Sequence, residues 1–233
     1  MTQNSFIEEL KKINVEITQE MLDQLELYYE MLIEYNKVMN LTGITEKEEV
    51  YLKHFYDSLT LNKIIDLKNV NTLCDLGSGA GFPGIVIKIV FPNIKITLVD
   101  SLNKRINFLN LVINKLGLKD ILTASARIEE YSLLHEEEYD IVTARAVAPL
   151  NVLLEIGSKL VSIGGYFVAM KGNIVNEPNY DNAIKLLDLV EDEKEVFNLP
   201  IENSMRTLIR FKKTSKTPKK FPRKYSEIKK KPL

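Results

Sequence analysis

Between Asp75 and Gly84 the chain reads DLGSGAGFPG, with glycines at 77, 79, 81 and 84. The run before it, VNTLCDL (70–76), is short and apolar, which predicts a buried strand. The run after it, FPGIVIKIVF (82–91), predicts a helix with Pro83 accommodated in its first turn. Glycine permits positive φ and lets a ligand approach the backbone with no Cβ in the way. A glycine turn that joins a strand to a helix start therefore presents bare N–H groups to a ligand.

Strands and helices alternate from there onward. KITLVD (95–100), ILTASA (121–126), EYDIVTAR (138–145) and GGYFVAMKG (164–172) predict strands. KRINFLNLVINKLG (104–117), PLNVLLEIGSKL (149–160) and EPNYDNAIKLLDLV (177–190) predict helices, the first capped by Gly117. EKEVFNL (193–199) and MRTLIRFKK (205–213) close the sheet as an antiparallel pair. This pattern implies a mostly parallel seven-stranded sheet covered by helices on both faces. Its ligand belongs at the carboxyl ends of the strands, where the strand order reverses. Upstream, residues 5–37 and about 47–65 carry apolar positions at helical spacing, with a helix start at Thr18. Asn40, before a Leu-Thr-Gly turn, reads as a backbone-capping residue. The expected organisation is a helical extension over 1–68, an α/β domain over 69–213 and a basic tail over 214–233.

At 233 residues the chain can form one sizeable domain with an extension. It has no run of about 18 apolar residues, so no membrane span is expected. The N-terminal MTQNSFIEELKK lacks the apolar stretch of a secretory signal. One cysteine, Cys74, can make no internal disulfide, which fits a reducing cytoplasm. The net charge of −1 hides an asymmetry: Lys212 to Leu233 holds ten Lys/Arg against one acid, +9 on a body of −10. Such a tail fits an anionic polymer as partner, and also a solvated terminus.

The dinucleotide fingerprint is G-x-G-x-x-G. Here the third glycine comes one residue early, giving D-x-G-x-G-x-G. Asp100 ends the second strand 23 residues after Gly77, where it can accept two ribose hydroxyls. The combination resembles the class I S-adenosylmethionine-dependent methyltransferases, which are Rossmann-like. That cofactor carries a sulfonium and an ammonium but no phosphate, so Asp75 beside it would attract, whereas beside a pyrophosphate it would repel. A dehydrogenase-like nucleotide domain is the alternative. Asp75, Gly77, Ser78, Gly79 and Asp100 are the cofactor-site candidates from this turn.

NLTG (40–43), HFYDSL (54–59), DLGSGAGFPG, TLVDSLNKRINFL (97–109), TARAVAPL (143–150), MKG (170–172) and FPRK (221–224) follow in order. Together they resemble the glucose-inhibited division protein B family, the small-subunit (16S) ribosomal RNA guanine-N7 methyltransferases, over nearly the whole chain. The resemblance implies S-adenosylmethionine as cofactor and a guanine of that RNA, free or in the small ribosomal subunit, as acceptor. It carries the family's cofactor contacts onto Gly77, Phe82, Ile128, Glu129 and Arg145. Ile128 stands where the family more often has alanine. After FPRK the family often has a glycine near the place where this chain has Ser226 and Glu227.

Missing motifs narrow the chemistry. TARAVAP stands where methylases of adenine amino groups carry an N-P-P-Y-like sequence. Methylation of a pyrimidine carbon needs a cysteine nucleophile, and Cys74 lies inside the first strand. Guanine N7 presents a lone pair and loses no proton, so no general base is required, and the rate comes from in-line placement. Arg145 and His54 are the positioning candidates; Arg145 could hold guanine O6 or line the cofactor pocket. His54 and Asp57 could order a loop or touch RNA. Lys104, Arg105, Lys171, Arg223, Lys224, Lys229 and Lys230 are candidates for RNA contact. The tail is expected to lie outside the glycine-turn pocket. No metal is expected, and a monomer is. A methyltransferase for tRNA or protein, or a ribosome-assembly factor without turnover, are the rival functions.

Overall fold

The computed structural model describes residues 1–233. Its sheet consists of β1 (Thr72–Leu76), β2 (Lys95–Asp100), β3 (Ile121–Ser125), β4 (Tyr139–Arg145), β5 (Val161–Lys171), β6 (Leu189–Asn198) and β7 (Met205–Lys213). Their order is β3-β2-β1-β4-β5-β7-β6. β1 to β5 run parallel, and β7 is antiparallel to both β5 and β6. The chain steps outward from β1 to β3, then resumes on the other side of β1 with β4. The order therefore reverses between β1 and β4, and their loops diverge to leave a crevice at the carboxyl edge.

Helices cover both faces. They are α1 (Gln3–Lys12), α2 (Gln19–Met39), α3 (Lys47–Val50), α4 (Asp57–Leu59), α5 (Gly84–Val90), α6 (Asn103–Lys115), α7 (Ile128–Leu134), α8 (Leu150–Gly157), α9 (Asp181–Leu186) and α10 (Tyr225–Lys230). On one face, α2, α5 and α6 share a core that includes Leu25, Tyr28, Ile85, Phe108 and Val112 with Leu73 of the sheet. The N-terminal helices thus have no core separate from the sheet. Tyr28 is completely buried there, and its hydroxyl donates to the Ala80 carbonyl in the glycine turn at 2.5 Å. The other face buries Leu150, Leu153 and Leu154 of α8 with Tyr131 of α7.

Local signals explain the ends of α2. The Thr18 hydroxyl accepts from the Met21 N–H at 3.3 Å, and Asn40 closes the helix in the left-handed region at φ 51°. Between α3 and α4 the helix widens into a π-helical segment, Tyr51–Tyr56.

Three expectations are corrected. β5 begins at Val161, before the Gly164–Gly165 pair that reads as a strand start in the sequence. The β4–β5 register shifts between Tyr139 and Ile141, so the glycines lie inside the strand at an irregularity. A Cβ on Gly165 would stand 2.6 Å from the Asp140 carbonyl, so the close approach of the two strands requires glycine there. The helix expected over 177–190 is only α9: Asp188 turns the chain at φ 55°, and Leu189 already pairs with Lys213 in the sheet.

The third correction concerns the tail, which is docked rather than loose. Phe221 and Ile228 join the core of the second face. Arg223 reaches the carboxylate of Glu155 in α8 through Nε (2.7 Å) and Nη2 (2.6 Å), and its backbone N–H adds a third bond at 3.1 Å. Glu155 is fully buried, and these are its only partners. Bidentate guanidinium–carboxylate geometry offsets the desolvation of such a group. Arg223→Ala should lower the unfolding free energy by about 3–5 kcal/mol, because it strands a buried charge. Urea denaturation checks this, with exposed Lys224→Ala as the control that should stay within about 0.5 kcal/mol of wild type.

Candidate active site

Two cavities open at the carboxyl edge of the sheet and meet at Ala146, the residue after β4. Ala146 has φ 55°, a left-handed conformation that is strained for a residue with a Cβ and is concentrated at functional turns.

The first cavity, about 280 Å³, is walled by the ends of four parallel strands. Gly77 follows β1, Asp100 ends β2, Arg127, Ile128 and Glu129 follow β3, and Ala146, Val147 and Ala148 follow β4. Ile156 of α8 and Tyr225 of α10 complete the wall with Ser101 and Arg105. Gly77 has φ 66°, and a Cβ on it would stand 2.7 Å from Val147 Cγ2. The glycine turn and the β4 loop therefore press together only because no side chain intervenes.

Asp100 organises this cavity. Its Oδ1 accepts the Leu102 N–H at 2.9 Å, and its Oδ2 accepts the Gly79 N–H at 3.0 Å and Arg105 Nη1 at 3.2 Å. An ionised carboxylate has about four acceptor sites. One is free, and the half-exposed Arg105 can yield a second.

The other residues of the turn point elsewhere. The Ser78 hydroxyl donates to the Asp75 carbonyl at 2.9 Å. Asp75 is not in the cavity wall, contrary to the expectation that it stands beside the cofactor's charges. Its carboxylate is turned inward, where Oδ2 accepts the Gly84 N–H at 3.0 Å and Oδ1 has no partner. Burial pushes its pKa up to about 7 against the Gly84 N–H, which pulls it down.

The second cavity, about 330 Å³, surrounds Arg145 at the end of β4. Arg145 Nη1 donates to the Lys53 carbonyl and to Asp57 Oδ2, both at 3.0 Å, and Nη2 donates to His54 Nδ1 at 3.2 Å. All three partners come from the π-helical segment and the residue after it. A donor at Nδ1 leaves Nε2 as the protonated nitrogen of His54, and it faces the Thr42 hydroxyl at 2.8 Å. The imidazole stacks on Phe82 with centroids 4.3 Å apart. Burial and the Arg145 charge lower its pKa to about 3, so the ring is neutral. Asp57 Oδ1 accepts from Arg206 Nε at 2.8 Å.

Of the residues assigned to the cofactor by resemblance, Arg145 lines the second cavity, and Phe82 lines neither cavity, its ring centroid 5.2 Å from the Arg145 guanidinium carbon. The RNA-contact candidates divide in two. Lys171 is tied to Glu177 (2.5 Å) and the Ala148 carbonyl (2.7 Å), Lys104 to the Met39 carbonyl (3.2 Å), Arg105 to Asp100 and Arg223 to Glu155. Lys224, Lys229 and Lys230 are exposed and make no ion pair. Arg206 and Tyr225 were absent from the sequence candidates, and the expectation that the tail lies outside the glycine-turn pocket fails at Tyr225. Arg206 is brought in by the β5–β7 pairing and Tyr225 by tail docking, and neither leaves a local sequence signal.

Known proteins share this architecture. A solved S-adenosylmethionine-dependent methyltransferase from Aquifex aeolicus superposes with a TM-score of 0.54 at 15% identity, over 71% of this chain and 93% of its own. M. jannaschii TYW2, solved in complex with AdoMet, gives 0.50 at 12% identity over 63% and 72%. At such identities the likeness is one of fold. A Bacillus cytotoxicus protein named ribosomal RNA small subunit methyltransferase G is 50% identical over 214 residues, covering 90% of each chain. Its namesake from Bacillus licheniformis is 48% identical over 237 residues, covering 100% of this chain and 99% of its own. The model of one family, GidB, described as rRNA small subunit methyltransferase G, matches residues 21–199, and with relatives of that name at half identity along the chain, the protein belongs to this family.

Proposed function

We propose that the chain transfers a methyl group from S-adenosylmethionine to N7 of a guanine in 16S ribosomal RNA, acting as a cytoplasmic monomer. When bound, the cofactor supplies a methyl group on a positively charged sulfur. The first cavity suits it: Asp100 has acceptor capacity for ribose, and Gly77, Ile128 and Glu129 line the wall around it. The guanine enters the second cavity, and Ala146 marks the place where the two reactants meet. Residues 1–68 shape the acceptor side, 69–213 carry the transferase sheet, and 214–233 meet both RNA and the cofactor cavity.

The observation that carries this reading is that the acceptor cavity has no free base. Both nitrogens of His54 are engaged, and both oxygens of Asp57 are taken by Arg145 and Arg206. An acceptor that had to lose a proton would find nothing to take it, whereas N7 attacks with its own lone pair. The charges suit the product as well. Arg145 and Arg206 are paired with Asp57, Lys53 with Glu49 and Glu202, and Lys171 with Glu177. The cavity is thus close to neutral and can hold a base that becomes cationic on N7 methylation. Arg145 keeps donors free at Nε and Nη2, which can hold O6 and aim N7 at the methyl group.

Mass mapping of 16S RNA from cells with and without the protein should find one guanine lacking a methyl group on N7 in its absence. Methylation of tRNA or protein instead would overturn the assignment. Asp100→Asn should weaken S-adenosylmethionine binding in calorimetry by about tenfold or more, through loss of charge-assisted hydrogen bonds.

The neutrality of His54 sets a pH dependence. Its folded pKa lies below the unfolded value of about 6.5, so its stabilising contribution is full above that pH and is lost as pH falls toward 3. The stability advantage of wild type over His54→Gln should therefore shrink between pH 6.5 and 5, by up to about 1.4 kcal/mol per pH unit in urea titrations. Over pH 6 to 9 the single-turnover rate should show no titrating base.

RNA attraction is assigned to the unpaired lysines of the tail. Each phosphate neutralised steepens the salt dependence of binding by about 0.7–0.9. Replacing Lys229, Lys230 and Lys231 with glutamine should flatten that slope by up to about two to three units and leave S-adenosylmethionine affinity unchanged. An unaltered slope would move RNA binding to other surfaces.

A further inference from the structure

We propose that Tyr225, carried on the C-terminal segment, belongs to the cofactor site and offers the flat surface against which the adenine ring stacks. The inference rests on the reading of the first cavity as the S-adenosylmethionine site.

Tyr225 is the one residue of the tail in the wall of that cavity, which it shares with Gly77, Asp100 and Ile128. Its place in the wall follows from strand order. Asp100, at the end of β2, is assigned the ribose, and β3 is the strand next to β2 on the side away from β1. A base attached to that ribose extends toward the end of β3, where Arg127 and Ile128 lie. The Arg127 guanidinium carbon stands 5.9 Å from the Tyr225 ring centroid, so the ring is at that end.

The ring is also held there. Two residues before it, Arg223 grips the buried Glu155, and three residues after it, Ile228 is completely buried. The last residue is fixed too, since Asn151 Nδ2 donates to the Leu233 carbonyl at 3.1 Å. Between these anchors Tyr225 remains 40% exposed, and its hydroxyl has no hydrogen-bond partner in the protein. An aromatic ring fixed in a cavity wall by buried anchors on both sides, and still 40% exposed, fits a planar π-surface such as a purine.

The chain contains no tryptophan, so Tyr225→Trp introduces a single indole. Its fluorescence should change on titration with S-adenosylmethionine and saturate with the dissociation constant that calorimetry gives for the same variant. In calorimetry Tyr225→Ala should bind S-adenosylmethionine about tenfold more weakly, and Tyr225→Phe should stay within about twofold of wild type, since stacking needs the ring and not the hydroxyl. Wild-type affinity in Tyr225→Ala, or an indole signal unmoved by saturating cofactor, overturns the proposal while leaving the cavity assignment intact. Failure of the wild-type protein to bind S-adenosylmethionine overturns the cavity assignment and this proposal with it.

Discussion

The ion pair between Arg145 and Asp57 holds the two ends of the active site in register. Arg145 stands at the tip of β4, where the strand order reverses, and Asp57 belongs to the N-terminal helices. Asp57 carries Arg206 of β7 on its other oxygen, so three distant stretches of chain meet on one carboxylate. Both residues are largely buried, and removing Asp57 would leave Arg145 and Arg206 without a carboxylate in a poorly solvated place. The local cause is the π-helical turn. An i→i+5 turn admits one extra residue. The Lys53 carbonyl, the His54 ring and the Asp57 carboxylate converge there on a single guanidinium.

That guanidinium also connects the two cavities mechanically. Phe82 lies against the Arg145 guanidinium and the His54 imidazole, and it packs on Tyr28, with ring centroids 5.5 Å apart. Tyr28 in turn holds the Ala80 carbonyl of the glycine turn. A displacement of the helical extension is therefore transmitted to the turn that walls the first cavity, through packed rings and one short hydrogen bond.

The sheet was legible in the sequence because strands buried on both faces must be short apolar runs, and VNTLCDL and KITLVD are such runs. Gly77 and Asp100 were legible for a related reason, since parallel topology sends the ends of the strands to the crevice, whereas Ile128 and Glu129 came from the family resemblance and not from the pattern of strands. What escaped depends on contacts distant in sequence. The Gly164–Gly165 pair reads as a strand start, yet the register shift against β4 places it within β5. The inward turn of Asp75 is set by the start of α5, which its carboxylate holds through the Gly84 N–H. In the tail, Phe221 and Ile228 are a minority among ten cations, and the composition hides that they reach the core.

The tail also shows why a charge count overstates the attraction available to a polyanion. Lys213 is buried beside Glu137, Lys216 pairs with Glu136, and Arg223 is spent on Glu155. The Lys213 ammonium is so desolvated that its pKa falls to about 8. The same pairing runs through the second cavity, where Arg145 and Arg206 share Asp57, Lys53 meets Glu49 and Glu202, and Lys171 meets Glu177. Lys224, Lys229 and Lys230, which face solvent and make no ion pair, lie on the docked tail. Contacts to phosphate fix register and carry affinity without reading the base, whereas the reacting base needs directed donors in a place of balanced charge. On the function proposed above, the RNA is attracted by the tail while the environment of N7 is set by the paired charges of the second cavity, in which no tail residue takes part.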